Sequence, residues 1–292
     1  MSPAARMQDK VTPAAWLMTA LGLALLAWVG WHVVDWAVVH AVFRIDPDAC
    51  RAMGHQGACW GVVAEKARPI LLGYFPENEQ RWGGLPLTLA LFVSSLLLSV
   101  PLAIGLALAR KASSPFLSWL ATAFIELVRG VPLITLLFSA AYLLPALLPH
   151  DLALPLFWRA LMALTLFSAV YMAEIVRGGL QTVAKEQSEA AEILGLSWWQ
   201  TQRRVVLPQA IRAVLPALTG HAIGLLKDSS LVMVIGLHEL TGGLSLSLGG
   251  DPIWRPYYLE AYLFVGAIYA ALCLGLSGLG RAMERRWVPG VR

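Results

Sequence analysis

Twenty-five consecutive residues, Leu85 to Ala109, carry no charge and are almost all apolar. As a helix rising 1.5 Å per residue, that run is about 37 Å long, enough to cross a hydrocarbon core of about 30 Å. Five more blocks meet or approach that length: Trp16 to Val34, Val131 to Leu148, Ala160 to Val176, Ala213 to Leu237 and Ala261 to Gly280. Repeated blocks of this kind make lipid the solvent of the chain.

Composition agrees. Of 292 residues 58% are hydrophobic and 14% charged, against about 45–50% and 25% in soluble domains. A transmembrane β-barrel would instead alternate over segments of about ten residues. The first apolar block exceeds a signal-peptide core and no small-residue cleavage site follows it, so it reads as a retained span with Trp28 and Trp31 as interfacial anchors.

Lysine and arginine near helix ends are retained on the cytoplasmic side. Six spans put both termini on one side. With that side cytoplasmic, the inner segments hold Arg6, Lys10, Arg110, Lys111, Arg177, Lys185, Arg203, Arg204, Arg212, Arg281, Arg285, Arg286 and Arg292, which is 13 of the 22 basic residues. The net charge of +4 therefore expresses topology, and no basic patch with interleaved aromatics points to nucleic acid. Cys50 and Cys59 share the outer loop between the first two spans, where a disulfide persists. A bridge and two free thiols both fit the spacing, and the bridge is the expectation. Cys273 reads as helix- or lipid-packed.

The segment Asp35 to Gly84 is polar and rich in proline and glycine, an external insert rather than a second domain. Pro115 to Pro149 as one helix would measure about 50 Å. It must begin outside the hydrocarbon, and Gly130 and Pro132 permit a bend that leaves Glu126 and Arg129 near the inner mouth. Arg177 to Arg212 is the long polar cytoplasmic segment. Within it, Ser188 to Leu194 is helix-forming, Gly195 could end that helix, and Ser197 could cap a second one. Such a hairpin suits docking of a soluble partner; a purely structural hairpin has the same composition.

The string EAAEILGLSWWQTQRRVVLP, Glu189 to Pro208, is similar to the EAA loop of ABC importer permeases. The spacing is EAA, three residues, glycine, nine residues, a β-branched residue, any residue, then Leu207-Pro208. RGVPLITLLF (Arg129 to Phe138), YMAEIVRGG (Tyr171 to Gly179), LPQAIRAVLP (Leu207 to Pro216) and KDSSL (Lys227 to Leu231) resemble the polar amino acid branch of those permeases. The likeness runs from about Gly83 to Arg286, and the insert from Gly57 to Pro76 resembles the longer permeases of general L-amino-acid importers. Glu186 and His221 depart from the pattern, standing where glycine and asparagine are common.

The resemblance implies an all-α integral membrane fold of six transmembrane helices: one N-terminal helix plus a five-helix permease core with a cytoplasmic coupling helix. Residues 1–84 would hold the first span (about 14–34) and the periplasmic insert. Residues 85–286 would form the transmembrane domain, with spans about 85–109, 131–148, 158–177, 209–237 and 261–280 and a coupling loop at 186–208, followed by a cytoplasmic tail at 287–292. The implied partners are a second permease, expected to be unlike this one, an ATP-binding subunit dimer carrying ATP and Mg, a periplasmic amino-acid-binding protein and the lipid bilayer. The implied location is a bacterial inner membrane. Glu189, Ala190, Ala191, Gly195, Leu207 and Pro208 inherit the ATPase-coupling role.

Charges inside spans are functional candidates because an unpaired one costs at least about 2.5–3.5 kcal/mol at the bilayer centre. Lys227, Asp228 and His221 share one span, with His221 and Asp228 seven residues apart and so on nearly the same face; they are candidate substrate-pathway residues, as is Glu174. On depth, Glu174 and Lys227 differ in level by about 7–10 Å, which argues against a direct pair. The competing reading makes Glu174 and Arg177 supports of an inner helix end. Glu126, Arg129 and Arg177 are candidate gate or interface residues, with interfacial anchoring as the alternative for Glu126 and Arg129. The chain has no phosphate-cradling G-x-x-x-x-G-K-[ST], no metal-spaced histidines and no nucleophile motif. It thus reads as a non-catalytic transport subunit with no cofactor of its own. The alternative is an ion-coupled secondary carrier of amino acids or similar solutes, with Glu174 or Lys227 as its proton site.

Overall fold

The computed structural model describes residues 13–54, 56–73, 83–149 and 154–287. The terminal basic residues Arg6, Lys10 and Arg292, the tail beyond Trp287, His55, His150, and Pro76 and Arg81 of the insert lie outside them. In chain order the helices are α1 (Pro13–Val34), α2 (Pro47–Met53), α3 (Gly61–Leu72), α4 (Gly84–Arg110), α5 (Pro115–Arg129), α6 (Leu133–Phe138) and α7 (Leu144–Leu147), then α8 (Leu156–Thr182), α9 (Lys185–Ile193), α10 (Trp198–Thr201), α11 (Leu207–Ala213), α12 (Leu215–Asp228), α13 (Leu240–Gly249) and α14 (Tyr258–Trp287). The described residues hold no strand, only isolated bridges pairing Val42 with Cys59 and Gly84 with Glu239.

Five helical runs are long and apolar enough to cross a bilayer: Ala14–Val39, Gly84–Arg110, Leu156–Thr182, Leu215–Ile235 and Arg255–Trp287. The segment expected to span at about 131–148 is α6 and α7 with the turn between them. Leu133–Leu147 measures only about 22 Å, and it meets α5 at 98°, so a sixth crossing exists only if the bent pair is one broken span. Pro132 sits at the bend as the N-cap of α6, and a π turn at Ser139–Leu143 separates α6 from α7. The arginine of α8 at position 159 donates to the Ala141 carbonyl within that turn.

The chain forms two compact units, one of Met1–Glu65 with Ile253–Ala261 and one of Lys66–Pro252 with Tyr262–Arg292. The division between the two units falls inside α3. The physical reason is that Lys66 Nζ lies 2.6 Å from Asp251 Oδ2, and a side chain on Gly243 would meet the Ile70 carbonyl at 3.2 Å. The second half of α3 is thus built into the larger unit.

In the smaller unit, α1 buries none of its apolar stretch within the chain, as a helix facing lipid does. The segment after it is compact. Asp46 caps α2 through a 2.9 Å bond from Ala49 N–H, Trp60 Nε1 donates to the Ala37 carbonyl at 2.8 Å, and the Cys59 amide donates to buried Glu260 at 2.9 Å. Cys50 and Cys59 are joined as a disulfide, Cα atoms 5.6 Å apart.

The larger unit is organised by α4 against α8. Ser95, Ser99, Ala103 and Ala107 recur every fourth residue on α4 and are all buried. Small residues at that spacing form one flat stripe along which two helices approach closely in lipid. The hydroxyls stay satisfied: Ser95 Oγ donates to the Leu91 carbonyl at 2.6 Å, and Ser99 Oγ donates to the Ser95 carbonyl. From α8, Ala169, Val170, Ala173 and Val176 complete the buried seam.

Candidate functional site

Three places concentrate polar chemistry. The first is the hairpin from Lys185 to Ala213. Helix α9 ends in a Schellman motif: Leu196 N–H donates to the Ala191 carbonyl at 3.1 Å and Gly195 N–H to the Glu192 carbonyl at 2.9 Å. This geometry needs a left-handed residue, and Gly195 supplies it at φ +79°. Two residues later, Ser197 and Gln200 form a reciprocal capping box that starts α10. The sharp turn pushes apolar side chains outward, leaving Ile193 86% and Leu194 81% exposed, with Trp198 and Trp199 also exposed. Ala191 is buried on the opposite side, while Glu189 borders a recess shared with Lys111, Lys185 and Val206.

The hairpin is fastened to the core. A π turn at Gln202–Val206 leads into α11, whose Ala210 carbonyl lies so close to α8 that a side chain on Gly179 would meet it at 2.5 Å. Only glycine permits that approach. The hairpin is therefore joined to α8 by a close backbone contact.

The second place is a cluster of charges at the ends of α4 and α5 and along α8. Glu174, its side chain 18% exposed, receives Arg177 Nε at 3.2 Å and Nη2 at 3.0 Å, Arg110 Nη1, and Arg129 Nη1 at 3.9 Å. Glu126 meets Arg110 Nη2 at 3.4 Å and Arg129 Nη1 at 3.8 Å. Arg110 and Arg129 close α4 and α5, where the helix dipole favours cations. The Arg129 guanidinium also sits 5.5 Å from the centre of the Tyr171 ring, which has the Phe167 ring at 4.7 Å and the stacked His221 ring at 6.4 Å as further neighbours. His221 Nε2 is 2.9 Å from Ser168 Oγ.

The third place surrounds Glu239, which is fully buried before α13. Its oxygens accept from the amides of Thr241 at 3.0 Å and Gly242 at 2.9 Å, from Tyr269 Oη at 2.8 Å and from Thr88 Oγ1 at 3.3 Å. Burial pushes this carboxyl above the usual range, against the pull of those donors. A cavity of about 250 Å³ adjoins it, lined by Lys227, Ser230, Thr241, Tyr262, Val265, Gly266 and Tyr269. Among the described residues no group of histidine, cysteine and acids is arranged to hold a metal ion.

A family model described as a binding-protein-dependent transport system inner membrane component matches residues 99–289. The chain belongs to that family. Among its relatives, the inner membrane amino-acid ABC transporter permease protein YhdY of Escherichia coli (strain K12) is 36% identical over 269 residues, 88% of this chain and 72% of that protein. The glutamate/glutamine/aspartate/asparagine transport system permease protein BztC of Rhodobacter capsulatus is 39% identical over 223 residues; the match covers 76% of this chain and about half, 51%, of that protein. A crystal structure of an amino acid ABC transporter with histidines superposes with a TM-score of 0.64 at 32% identity, over 77% of this chain and 97% of that one. The MetNI methionine ABC transporter shares the fold at a TM-score of 0.58 and 18% identity. The chain is thus a multi-pass inner membrane permease of an ABC transporter.

The structure of this permease brings some expected site residues together and separates others. Glu126, Arg129 and Arg177 converge, and Glu174 joins them rather than Lys227. Its carboxylate is engaged by three arginines, the helix-end arrangement considered beside the pathway one. Lys227 lines the cavity beside Glu239, Asp228 next to it is half-buried, and His221 is held by Ser168 and Tyr171. Leu207 and Pro208 open α11, and Glu189, Ala190, Ala191 and Gly195 form the helix and turn before it. Glu239 and Tyr269 escaped the sequence reading. A local signal existed for Glu239: an acid immediately before LTGG is an N-cap pattern, since its carboxylate accepts the first free amides of the helix.

Proposed function

We propose that this chain is the membrane-spanning permease subunit of an ATP-driven, binding-protein-dependent amino acid importer, with both termini cytoplasmic. It would form the translocation pathway with a second, unlike permease and take its power stroke from an ATPase dimer that holds ATP and Mg. A periplasmic amino-acid-binding protein delivers the substrate. The observation that carries this reading is the exposed turn of the hairpin. Its EAA spacing, its Schellman-ended helix and the bare Ile193 and Leu194 make an apolar knob that fits a groove of a soluble partner.

The chemistry of coupling follows from the contacts. An ATPase holding α9 displaces the hairpin as a rigid piece, because the capping box and the Schellman bonds leave the turn no slack. Helix α11 then moves α8 through the Gly179 contact, and α8 carries Glu174 and Arg177. The charge cluster ties α8 to α4 and α5, so it is the place where an inner gate holds or yields. Farther along the route, Lys227, Asp228 and His221 face the pathway, and Lys227 offers a cation to the substrate carboxylate. The chain itself catalyses nothing in this reading.

Cross-linking tests the assignment. With Ala190→Cys and cysteines placed along the ATPase groove, an assembled complex should give a permease–ATPase adduct on mild oxidation. No adduct at any position from Glu189 to Gly195 would defeat it. Uptake driven by a proton gradient without ATP, from the permease alone, would favour a secondary carrier instead.

A further inference from the structure

A crevice of about 360 Å³ lies between α4, α8, α12 and α14 in the larger unit. Its lining is apolar but for one hydroxyl, Thr219 Oγ1, whose proton goes to the Leu215 carbonyl at 3.0 Å. A zwitterion or a chain of waters finds no partner there. Leu279 and Met283 border the crevice yet are 63% and 44% exposed, so it opens to the outside of the unit. The lining rises about 12 Å along the second half of α4, Leu96 to Ile104, and about 10 Å along the second half of α14, Leu276 to Met283. One leaflet of a hydrocarbon core about 30 Å thick is about 15 Å deep. The crevice thus has the height of a single leaflet.

Its end is cationic. Leu279, Met283, Arg286 and Trp287 share one face of α14, at steps of three and four residues. Arg212, next to the lining residue Ile211 on α11, lies over the Trp287 ring, its guanidinium carbon 5.9 Å from the ring centre. Stacking uses the flat face of the guanidinium and leaves the N–H donors at its edge free. Within four residues of Ile211 and Met283 stand Arg212, Arg281, Arg285 and Arg286 and a single acid, Glu284. Among the described residues none of these four arginines is ion-paired, whereas Arg110, Arg129 and Arg177 are matched with Glu126 and Glu174.

We propose that the crevice binds an anionic phospholipid of the cytoplasmic leaflet, one acyl chain lying along α4 and α14 and the phosphate held by Arg212 and Arg286. Apolar walls of leaflet height select a chain, and unneutralised arginines at the interface select a negative headgroup. The leaflet assignment rests on the reading that both termini are cytoplasmic.

The permease–ATPase complex in mild detergent is titrated with phosphatidylglycerol or with phosphatidylcholine of the same acyl chains, and bound lipid is counted by native mass spectrometry. Phosphatidylglycerol should bind saturably and at least about tenfold more tightly than phosphatidylcholine. Arg212→Gln and Arg286→Gln should each weaken it about fivefold, while Arg285→Gln, two residues from Met283 and so off that face, should leave it unchanged. Ala222→Leu, which fills the crevice, should abolish binding of both lipids. The exposed arginine variants decide the matter if Ala222→Leu fails to assemble. Equal affinity for the two lipids, equal effects of Arg285→Gln and Arg286→Gln, or cross-linking of Leu279→Cys to the second permease would overturn the proposal. An impermeant thiol reagent that labels Glu284→Cys from the outside of intact cells would instead show the topology to be wrong and the leaflet with it. Loss of the lipid preference with Glu284→Cys shielded overturns the lipid site alone.

Discussion

Replacing Gly195 by alanine isolates the backbone requirement of the coupling turn. The residue has φ +79°, and no atom lies within 4 Å of where a Cβ would stand. A substitution therefore meets no steric neighbour, only the left-handed backbone, which costs an L-residue about 1–2 kcal/mol. That is a factor of about 5–30 in the equilibrium between the ordered turn and alternatives that release the two Schellman bonds. Asparagine tolerates this region better than alanine, and a β-branched residue tolerates it least. Substrate-stimulated ATP hydrolysis by the reconstituted complex, at matched subunit abundance, should fall in the order Gly195, Gly195→Asn, Gly195→Ala, Gly195→Val. Membrane insertion should be unchanged, because the turn lies outside the spans. Wild-type stimulation in Gly195→Val would refute the argument, as would Gly195→Asn falling below Gly195→Val.

Other outcomes follow from individual contacts. Gly179→Val forces α8 from α11 at a cost of about 1–3 kcal/mol, so ATP-driven uptake should drop while the ATPase still co-purifies; Gly178→Ala next to it, with no atom within 4 Å, should be silent. Equal effects of the two would exclude the contact as the transmission point. Glu174→Gln weakens charged hydrogen bonds worth about 1.5–3 kcal/mol each, and a drop in the melting temperature of the purified permease should exceed that of Arg177→Ala. Thiol labelling of the denatured, non-reduced protein should modify only Cys273 of its three cysteines, and three labels would show Cys50 and Cys59 to be free.

The fold was legible where the physics is one-dimensional. Length and hydropathy mark α1, α4, α8 and α14 because a helix in lipid needs only an uninterrupted apolar run. The helix-stop and helix-start around Gly195 and Ser197 were equally readable, since capping is decided within five or six residues. The broken span was legible only in part: Gly130 and Pro132 announce a bend, but the 98° angle and the π turn that Arg159 supports depend on packing against α8. The site divides similarly. Depth along a helix argued correctly against a Glu174–Lys227 pair, yet the gathering of Arg110, Arg129 and Arg177 around Glu174 joins three helices and has no local signature. Glu239 shows the same limit from the other side. Its capping role could be read from the four residues after it, but its bond to Tyr269 links residues 30 apart in sequence.

Uptake of labelled L-amino acids into proteoliposomes holding the complete complex tests the central claim most directly. With binding protein outside and ATP available to the ATPase, at least one amino acid should accumulate, and accumulation should vanish without ATP or without either partner. Accumulation by this chain alone under a proton gradient, or none with every partner present, would contradict the account.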